Sequence, residues 1–327
     1  MQQSAVLAAF RRTSPRRPRT SRARREIISF HLFTLPWLLG FIFLTLSILL
    51  IGFGVSFTNY DGYNWGRFKF VGYDNYVRAF KDVDVLRSIK NTFMFALVSV
   101  PVSLLLAFLL AVLLNQPIKG RGVFRTLYYL PTIVPVTGAA WAWRLLLSKN
   151  IGLLNSFLSL FRPNTAINWL SDYWFLVMNL YTWWHVGGGM VIMLAGLQGI
   201  PQELYEAAHL DGASRAQVLR KITVPLMSPV LLFQLVMGII GAIQIMDVAL
   251  LFNGIVAEGG SGGIQGVPRE RYFLLVYQYI QIFAFQRFGY GVALGWIFFL
   301  LILLLTVIVL WSAKHWVYYE AEAGRMA

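Results

Sequence analysis

The chain's 327 residues are 57% hydrophobic and 13% charged, an apolar excess that excludes an ordinary soluble domain and marks an integral membrane protein. Lys and Arg number 28 against 14 Asp and Glu, for a formal charge of +14, but the excess is concentrated at one end and argues against a nucleic-acid surface. Cysteine is absent, which excludes disulfides, thiolate zinc sites and cysteine nucleophiles.

Arg11, Arg12, Arg16, Arg17, Arg19, Arg22, Arg24 and Arg25 all precede the first acidic residue and stand directly ahead of the first apolar run. Such a cluster attracts anionic headgroups and resists translocation, so residues 1–26 are expected to form a disordered cytoplasmic tail. A Ser/Arg-rich, acid-poor transit peptide is the competing reading. The run that follows is too long for a cleavable signal and is expected to stay as an anchor.

A helical span needs about 20 mostly apolar residues. Segments 30–57, 92–114, 126–147, 173–197, 226–251 and 290–313 qualify, predicting one polytopic all-α domain over 27–318 with a cytoplasmic tail at 319–327. Pro131 and Pro135 predict a kink in the third span, and Gly187, Gly188 and Gly189 permit close approach or unwinding in the fourth. Residues 61–90 mix Tyr, Trp, Asp and Lys as a small interfacial subdomain would. The run 272–286 is too short to cross and predicts an outer-face or re-entrant helix. Gly259–Gly263 reads as a flexible outer loop. No Gly-Lys-Ser/Thr follows it, and no Walker A sequence occurs anywhere, so ATP would have to bind another polypeptide.

Beyond the N-terminal cluster, charge is a mixed guide to topology. Lys119, Arg121, Arg125, Arg215, Arg220, Lys221, Lys314 and Arg325 fall on the expected inner side. Arg67, Lys69, Arg78, Lys81, Arg87 and Lys90 fall on the outer side, so the N-terminal cluster carries most of the orientation argument.

The most informative segment lies between the fourth and fifth spans. Pro201, Gln202 and Glu203 suit a helix start, Glu206, Ala207 and Ala208 continue it, and Asp211-Gly212 supplies a turn. A second helical stretch begins near Ala213 and runs through Val218, Leu219 and Ile222, with Pro225 and Pro229 marking re-entry into the bilayer. The expected product is a helix–turn–helix elbow on the cytoplasmic face, over about residues 201–229.

Glu206-Ala-Ala-x-x-Asp211-Gly-Ala213, followed by Leu219, Ile222 and Pro225-x-x-x-Pro229, resembles the EAA loop of binding-protein-dependent ABC importer permeases. Phe70-Val-Gly-Tyr-Asp-Asn-Tyr76, the stretch 120–131 with Pro135, Asn168-Trp-Leu-Ser-Asp172 and Leu250-Leu-Phe-Asn-Gly254 extend the likeness to the carbohydrate branch, the maltose-type and glycerol-3-phosphate-type permeases, over about 30–315. Leu219 and Val224 are conservative departures, and the arginine-rich tail lies outside the resemblance. It implies the type I importer fold, with the elbow docking into a cleft on an ATPase dimer that holds ATP and Mg. Glu206, Ala207, Ala208, Asp211, Gly212, Ala213, Ile222 and Pro225 would carry that coupling. A second permease chain, an extracytoplasmic solute-binding protein and a sugar substrate are the implied partners. The chain itself would hold no cofactor or metal and perform no catalysis.

Polar residues of a lipid-surrounded bundle tend to face inward, which makes Tyr181, Trp184 and His185 on the fourth span, and Gln234, Gln244 and Asp247 on the fifth, candidate substrate contacts. Gln244 and Asp247, three apart, are expected on one helix face. Sugars need hydrogen-bond partners and aromatic planes, and this set offers both. His185 also reads as an interhelical hydrogen-bonding residue, and Asp247 as a structural partner or a proton-relay acid. An ion-coupled secondary transporter using Asp247 is the alternative function. An intramembrane enzyme is disfavoured because His-Glu-x-x-His and a serine-nucleophile motif are missing.

Overall fold

The computed structural model describes residues 21–64, 66, 68–163, 166–253 and 267–318. Most of the arginine-rich tail, the 259–263 glycine tract, Arg67, Gly254 and the 319–327 tail lie outside the described residues. The chain divides into two compact units after Gly54.

The first unit consists of α1, which runs through Ser21–Gly40, a π-helical segment Phe41–Leu46 and the regular stretch Ser47–Val55, whose last residue belongs to the second unit. The helix therefore begins ahead of the expected boundary at residue 26. Phe33, Trp37, Phe43 and Leu44 are all exposed, as befits a helix whose apolar surface meets lipid or other helices rather than water.

The second unit is built on α3 (Val83–Asn115), which follows the short α2 (Asp74–Lys81). Next come α4 (Arg121–Ile133), α5 (Val136–Leu146), α6 (Leu153–Ser159), α7 (Trp169–Asp172), α8 (Trp174–Trp184) and α9 (Gly187–Gln198). The chain continues through α10 (Gln202–Leu210), α11 (Arg215–Ile243), α12 (Asp247–Asn253), α13 (Leu274–Ala284) and α14 (Phe288–Ala313). Helices α8, α9, α11 and α13 all pack on α3. Among the described residues no strand forms, and one isolated antiparallel bridge joins Thr58 to Phe70.

Four helices, α1 from Arg24, α3, α11 and α14, are long and apolar enough to cross a bilayer. The third and fourth predicted spans are each split. The third breaks at Val134, extended at φ −67° and ψ 130°, because a residue before proline is pushed out of the helical region. Pro131, expected to share the kink, is instead buried within α4. The fourth breaks at His185–Val186, just ahead of its glycines, which stay helical and bring about close approach. Gly187 lies so close to α4 that a Cβ there would collide with the Tyr128 carbonyl oxygen, and Gly189 sets its backbone against Ala107 of α3. Since lipid tails are as apolar as leucine, such small-residue contacts hold helices together by packing rather than by escape from water.

The 272–286 run forms α13, which is too short to cross and folds back on α14 and α3. Phe273 is fully buried against Phe95, and the Leu274 N–H donates to Thr92 Oγ1 at 2.9 Å. Asp82, which caps the start of α3, ties the assembly together. Its Oδ2 accepts from the hydroxyls of Tyr277 (2.6 Å) and Tyr290 (2.9 Å), while Oδ1 accepts from the Asp84 N–H. The 55–75 segment is braced nearby: Asn75 Nδ2 donates to the Ser56 and Thr58 carbonyls, and the Gly289 N–H donates to Tyr60 O.

Burial pushes the Asp82 carboxyl up, but the tyrosine hydroxyls and the Asp84 and Val85 amides outweigh it and leave the group below its ordinary value. A lowered carboxylate contributes stability that is complete above the ordinary aspartate value of about 3.9 and is lost as pH falls through the folded value. Thermal midpoints of the detergent-purified protein should therefore drop below about pH 4, and Asp82→Asn should flatten that acid limb while lowering the neutral-pH midpoint. An unchanged acid limb in the variant would show that Asp82 does not anchor α13.

Candidate functional site

Two features stand out, an exposed elbow and a largely apolar cleft that carries a few polar groups. Pro201 precedes α10 with φ −55° and ψ 134°, and Glu203 lies in the first turn, where an acid favours the helix dipole. The helix ends in a Schellman arrangement: the Ala213 N–H donates to Ala208 O at 2.9 Å and the Gly212 N–H to His209 O at 3.1 Å. This requires a left-handed residue after the cap, and Gly212 supplies it at φ +72°. Two residues on, Ser214 and Gln217 form a reciprocal capping box that starts α11. A serine cap of this kind is worth about 1 kcal/mol, so the turn is fastened from both sides. The Ser-x-x-Gln spacing was a legible signal for this start, which falls just after the expected Ala213.

Helix α11 begins with Arg215–Val218, passes through a π-helical segment Leu219–Thr223 and becomes regular from Val224, with Pro225 in its first turn. The Tyr205 hydroxyl and Thr223 Oγ1, 3.3 Å apart, join α10 to that π segment. Glu206, Ala207, Asp211 and Gly212 are exposed, Ala208 is buried, and Ala213, Ile222 and Pro225 are half-buried. Leu210, at the tip, is 89% exposed. Neither the Glu206 nor the Asp211 carboxylate has a side-chain partner among the described residues, so both point charges are offered outward.

The cleft, about 270 Å³, opens between α3, the α8–α9 break and α11. Ser99 and Ser103 contribute from α3, Thr182 and His185 from α8 and the break, and Gln234 from α11. The His185 Nδ1 faces the Tyr181 carbonyl at 2.9 Å, which assigns the ring proton to Nδ1 in the neutral form and leaves Nε2 as an acceptor. That Nε2 and Ser103 Oγ are buried without partners among the described residues. Gln234 Nε2 reaches toward Gly189 O at 3.5 Å. Orphaned buried polar atoms carry a desolvation cost, and a ligand or water that supplies the missing bonds recovers it.

The six candidate substrate contacts are not all brought together. His185 and Gln234 line the cleft. Tyr181 is buried in an aromatic cluster with Trp143 and Phe252, its hydroxyl unpartnered, and Trp184 borders that cluster half-exposed. Gln244 and Asp247 do not share a helix face: α11 stops at Ile243, Gln244 is its cap at φ −84° and ψ 12°, and Asp247 opens the separate helix α12. Both are exposed. The cleft residues Ser99, Ser103 and Thr182 were not singled out, because small hydroxyls in a helix carry no periodic signal of their own and commonly bond their own backbone, as Thr182 does to Met178 O.

The family model for the binding-protein-dependent transport system inner membrane component matches residues 77–317. The probable ABC transporter permease protein YesP of Bacillus subtilis is 33% identical over 305 residues, covering 91% of this chain and 94% of that protein. The trehalose/maltose transport system permease protein MalF of Thermococcus litoralis is 34% identical over 244 residues, covering 74% and 79%. In fold, the chain is similar to a subunit in the crystal structure of a bacterial alginate ABC transporter in complex with an alginate pentasaccharide-bound periplasmic protein, with TM-score 0.74, 20% identity and 91% and 98% coverage. With an α-helical, multi-span body of this fold and a family match across most of its length, the chain belongs to the inner membrane components of binding-protein-dependent transport systems, the permeases of ABC transporters.

Proposed function

We propose that this permease imports a sugar or oligosaccharide handed over by an extracytoplasmic binding protein, and that a separate ATPase dimer, binding ATP and Mg, drives it through the α10 elbow. The carrying observation is the elbow itself, a doubly capped projection with exposed, unpartnered Glu206 and Asp211. Ala207 and Ala208 keep the projection narrow, and Ala213, Ile222 and Pro225 seat it on α11. Closure of the ATPase pair would push this lever and its counterpart on a second permease chain together, switching the bundle between inward- and outward-facing states, each biased by a ligand at one end. The elbow and both termini then lie in the cytoplasm, consistent with the arginine cluster ahead of α1. The names of relatives that carry trehalose, maltose and other saccharides support the solute class.

The test is uptake into proteoliposomes holding the assembled permease pair, its ATPase and its binding protein. Accumulation should require enclosed ATP and the binding protein. Uptake by the purified chain alone under a proton or sodium gradient, lost in Asp247→Asn, would replace this reading with an ion-coupled transporter.

A further inference from the structure

We infer that α2, with its cap residue Tyr73, is an interfacial anchor. Its exposed apolar face sits in the headgroup region of the bilayer at the end of the molecule opposite the elbow, and its ligand there is glycerophospholipid rather than a protein partner. The seat depends on neither the solute nor the energy source.

Three observations carry it. First, α2 has three faces. Asn75 and Ala79, four apart, are buried, and Asn75 is held by the Ser56 and Thr58 carbonyls while the Tyr76 hydroxyl meets Ser56 Oγ at 2.7 Å. Tyr73, Val77 and Phe80 follow one another at spacings of four and three, so they share a second face, and they are 73%, 47% and 69% exposed. Asp74, Arg78 and Lys81, all exposed, form the third. The apolar face therefore lies between a protein contact and a charged flank, which is the arrangement of a helix lying in the plane of a membrane surface.

Second, the helix stands at the level of that surface. The 33-residue α3 is about 50 Å long, and its far end, with Ala111 and Leu114, packs on Leu197 and Met227 at the root of the elbow. Joined to the start of α3, α2 lies at the opposite end. There it meets the ends of two apolar segments: Asn75 bonds to Ser56 and Thr58, where segment 30–57 closes, and the Arg78 guanidinium stands 4.5 Å over the ring of Tyr290, where segment 290–313 opens. Phe57 gathers Phe70, Tyr73 and Tyr76 around it with ring centroids 6.4, 5.5 and 5.4 Å away. Aromatic rings collect at this boundary because one end is apolar and the other wet.

Third, the apolar face runs on into the surface that crosses the bilayer. Val83, Leu86, Phe93 and Leu97 continue it along one side of α3, and all are exposed. Lys90 interrupts this strip, where its stem lies along apolar surface and its ammonium reaches the phosphates. A docking face for a soluble protein is bounded by a polar rim, whereas this one merges with the lipid-facing side of a span. Asp82, which follows α2, passes the footing on to α13 and α14 through the Tyr277 and Tyr290 hydroxyls.

Because the chain contains no cysteine, Val77→Cys gives a single labelling site on it. The variant is labelled with a nitrobenzoxadiazole maleimide, assembled into the full transporter and placed in phosphatidylcholine–phosphatidylglycerol nanodiscs doped with lipid that carries a nitroxide either near the headgroup or near the acyl terminus. The shallow nitroxide should quench the label at least twofold and more strongly than the deep one, and adding the soluble binding protein should change nothing. Asp74→Cys, on the charged face, is the control and should be quenched less than half as much. Phe80→Cys carries the same expectation as Val77→Cys if that variant does not assemble. Quenching by neither nitroxide, or equal quenching of the Asp74→Cys label, overturns the assignment. Stronger quenching by the deep nitroxide also overturns it, because the helix then lies within the acyl core. Loss of quenching on addition of the binding protein overturns it as well and makes the face a docking site for that protein.

Discussion

Gly212→Asp should reduce uptake and transport-stimulated ATP hydrolysis by at least tenfold while leaving membrane insertion and the thermal midpoint of the bundle unchanged. The reason is local. At φ +72° an L-residue meets a conformational cost of about 1–2 kcal/mol, and a new carboxylate at a helix C-terminus adds an unfavourable interaction of about 0.3–1 kcal/mol. Together these are enough to shift the Schellman turn toward other geometries by a factor of roughly ten or more. Nothing lies within 4 Å of the site where a Cβ would stand, so no packing is disturbed and the bundle has no reason to unfold. Gly212→Asn separates backbone from charge, because asparagine tolerates the left-handed region and brings no anion. It should retain intermediate uptake. Wild-type uptake in Gly212→Asp would mean that the elbow does not transmit the drive, whereas loss of inserted protein would mean that the turn serves folding rather than coupling.

Gly187→Val should have the opposite signature, destabilising the whole bundle. Any Cβ at this position would run into the Tyr128 carbonyl oxygen and come within 2.9 Å of the Tyr129 Cα, and backbone atoms cannot swing aside as a flexible side chain can. Helix α9 must then back away from α4, with an overpacking cost of about 1–3 kcal/mol and further loss of contact along the seam. Detergent-solubilised protein should show a lower thermal midpoint, a larger aggregated fraction on size exclusion and poor recovery from the membrane. The adjacent Gly188→Ala is the control, since its Cβ would meet the Thr132 Cγ2 at an ordinary 3.7 Å. Equal losses in both variants would show that helix propensity, not the approach to Tyr128, governs this break.

These contrasts mirror what was readable in the chain and what was not. The membrane class, the apolar segments and the short length of the 272–286 run follow from composition and run length, properties that do not depend on which face a helix turns toward its neighbours. The elbow was legible because caps and turns are made by residues close in sequence: Pro201, Glu203, Gly212 and the Ser214–Gln217 pair act over three or four positions, and their chemistry is the same whatever surrounds them. Span interruptions were only half legible. Pro131 and Pro135 carry the same local penalty, yet Pro131 is absorbed in α4 and Val134 alone unwinds, because packing on the finished bundle decides which break is filled.

The substrate region shows the limit most clearly. Gln244 and Asp247 looked like helix neighbours at a spacing of three, but α11 ends between them. The cleft joins Ser99 and Ser103 to Thr182, His185 and Gln234, groups that lie far apart along the chain. The order of amino acids alone specifies a polytopic helical membrane protein with a capped, charged elbow, since hydropathy and capping are local free energies. Which polar side chains face one another inside the bundle is set by tertiary packing, because the direction a membrane helix turns its hydroxyls depends on the contacts of all its neighbours at once.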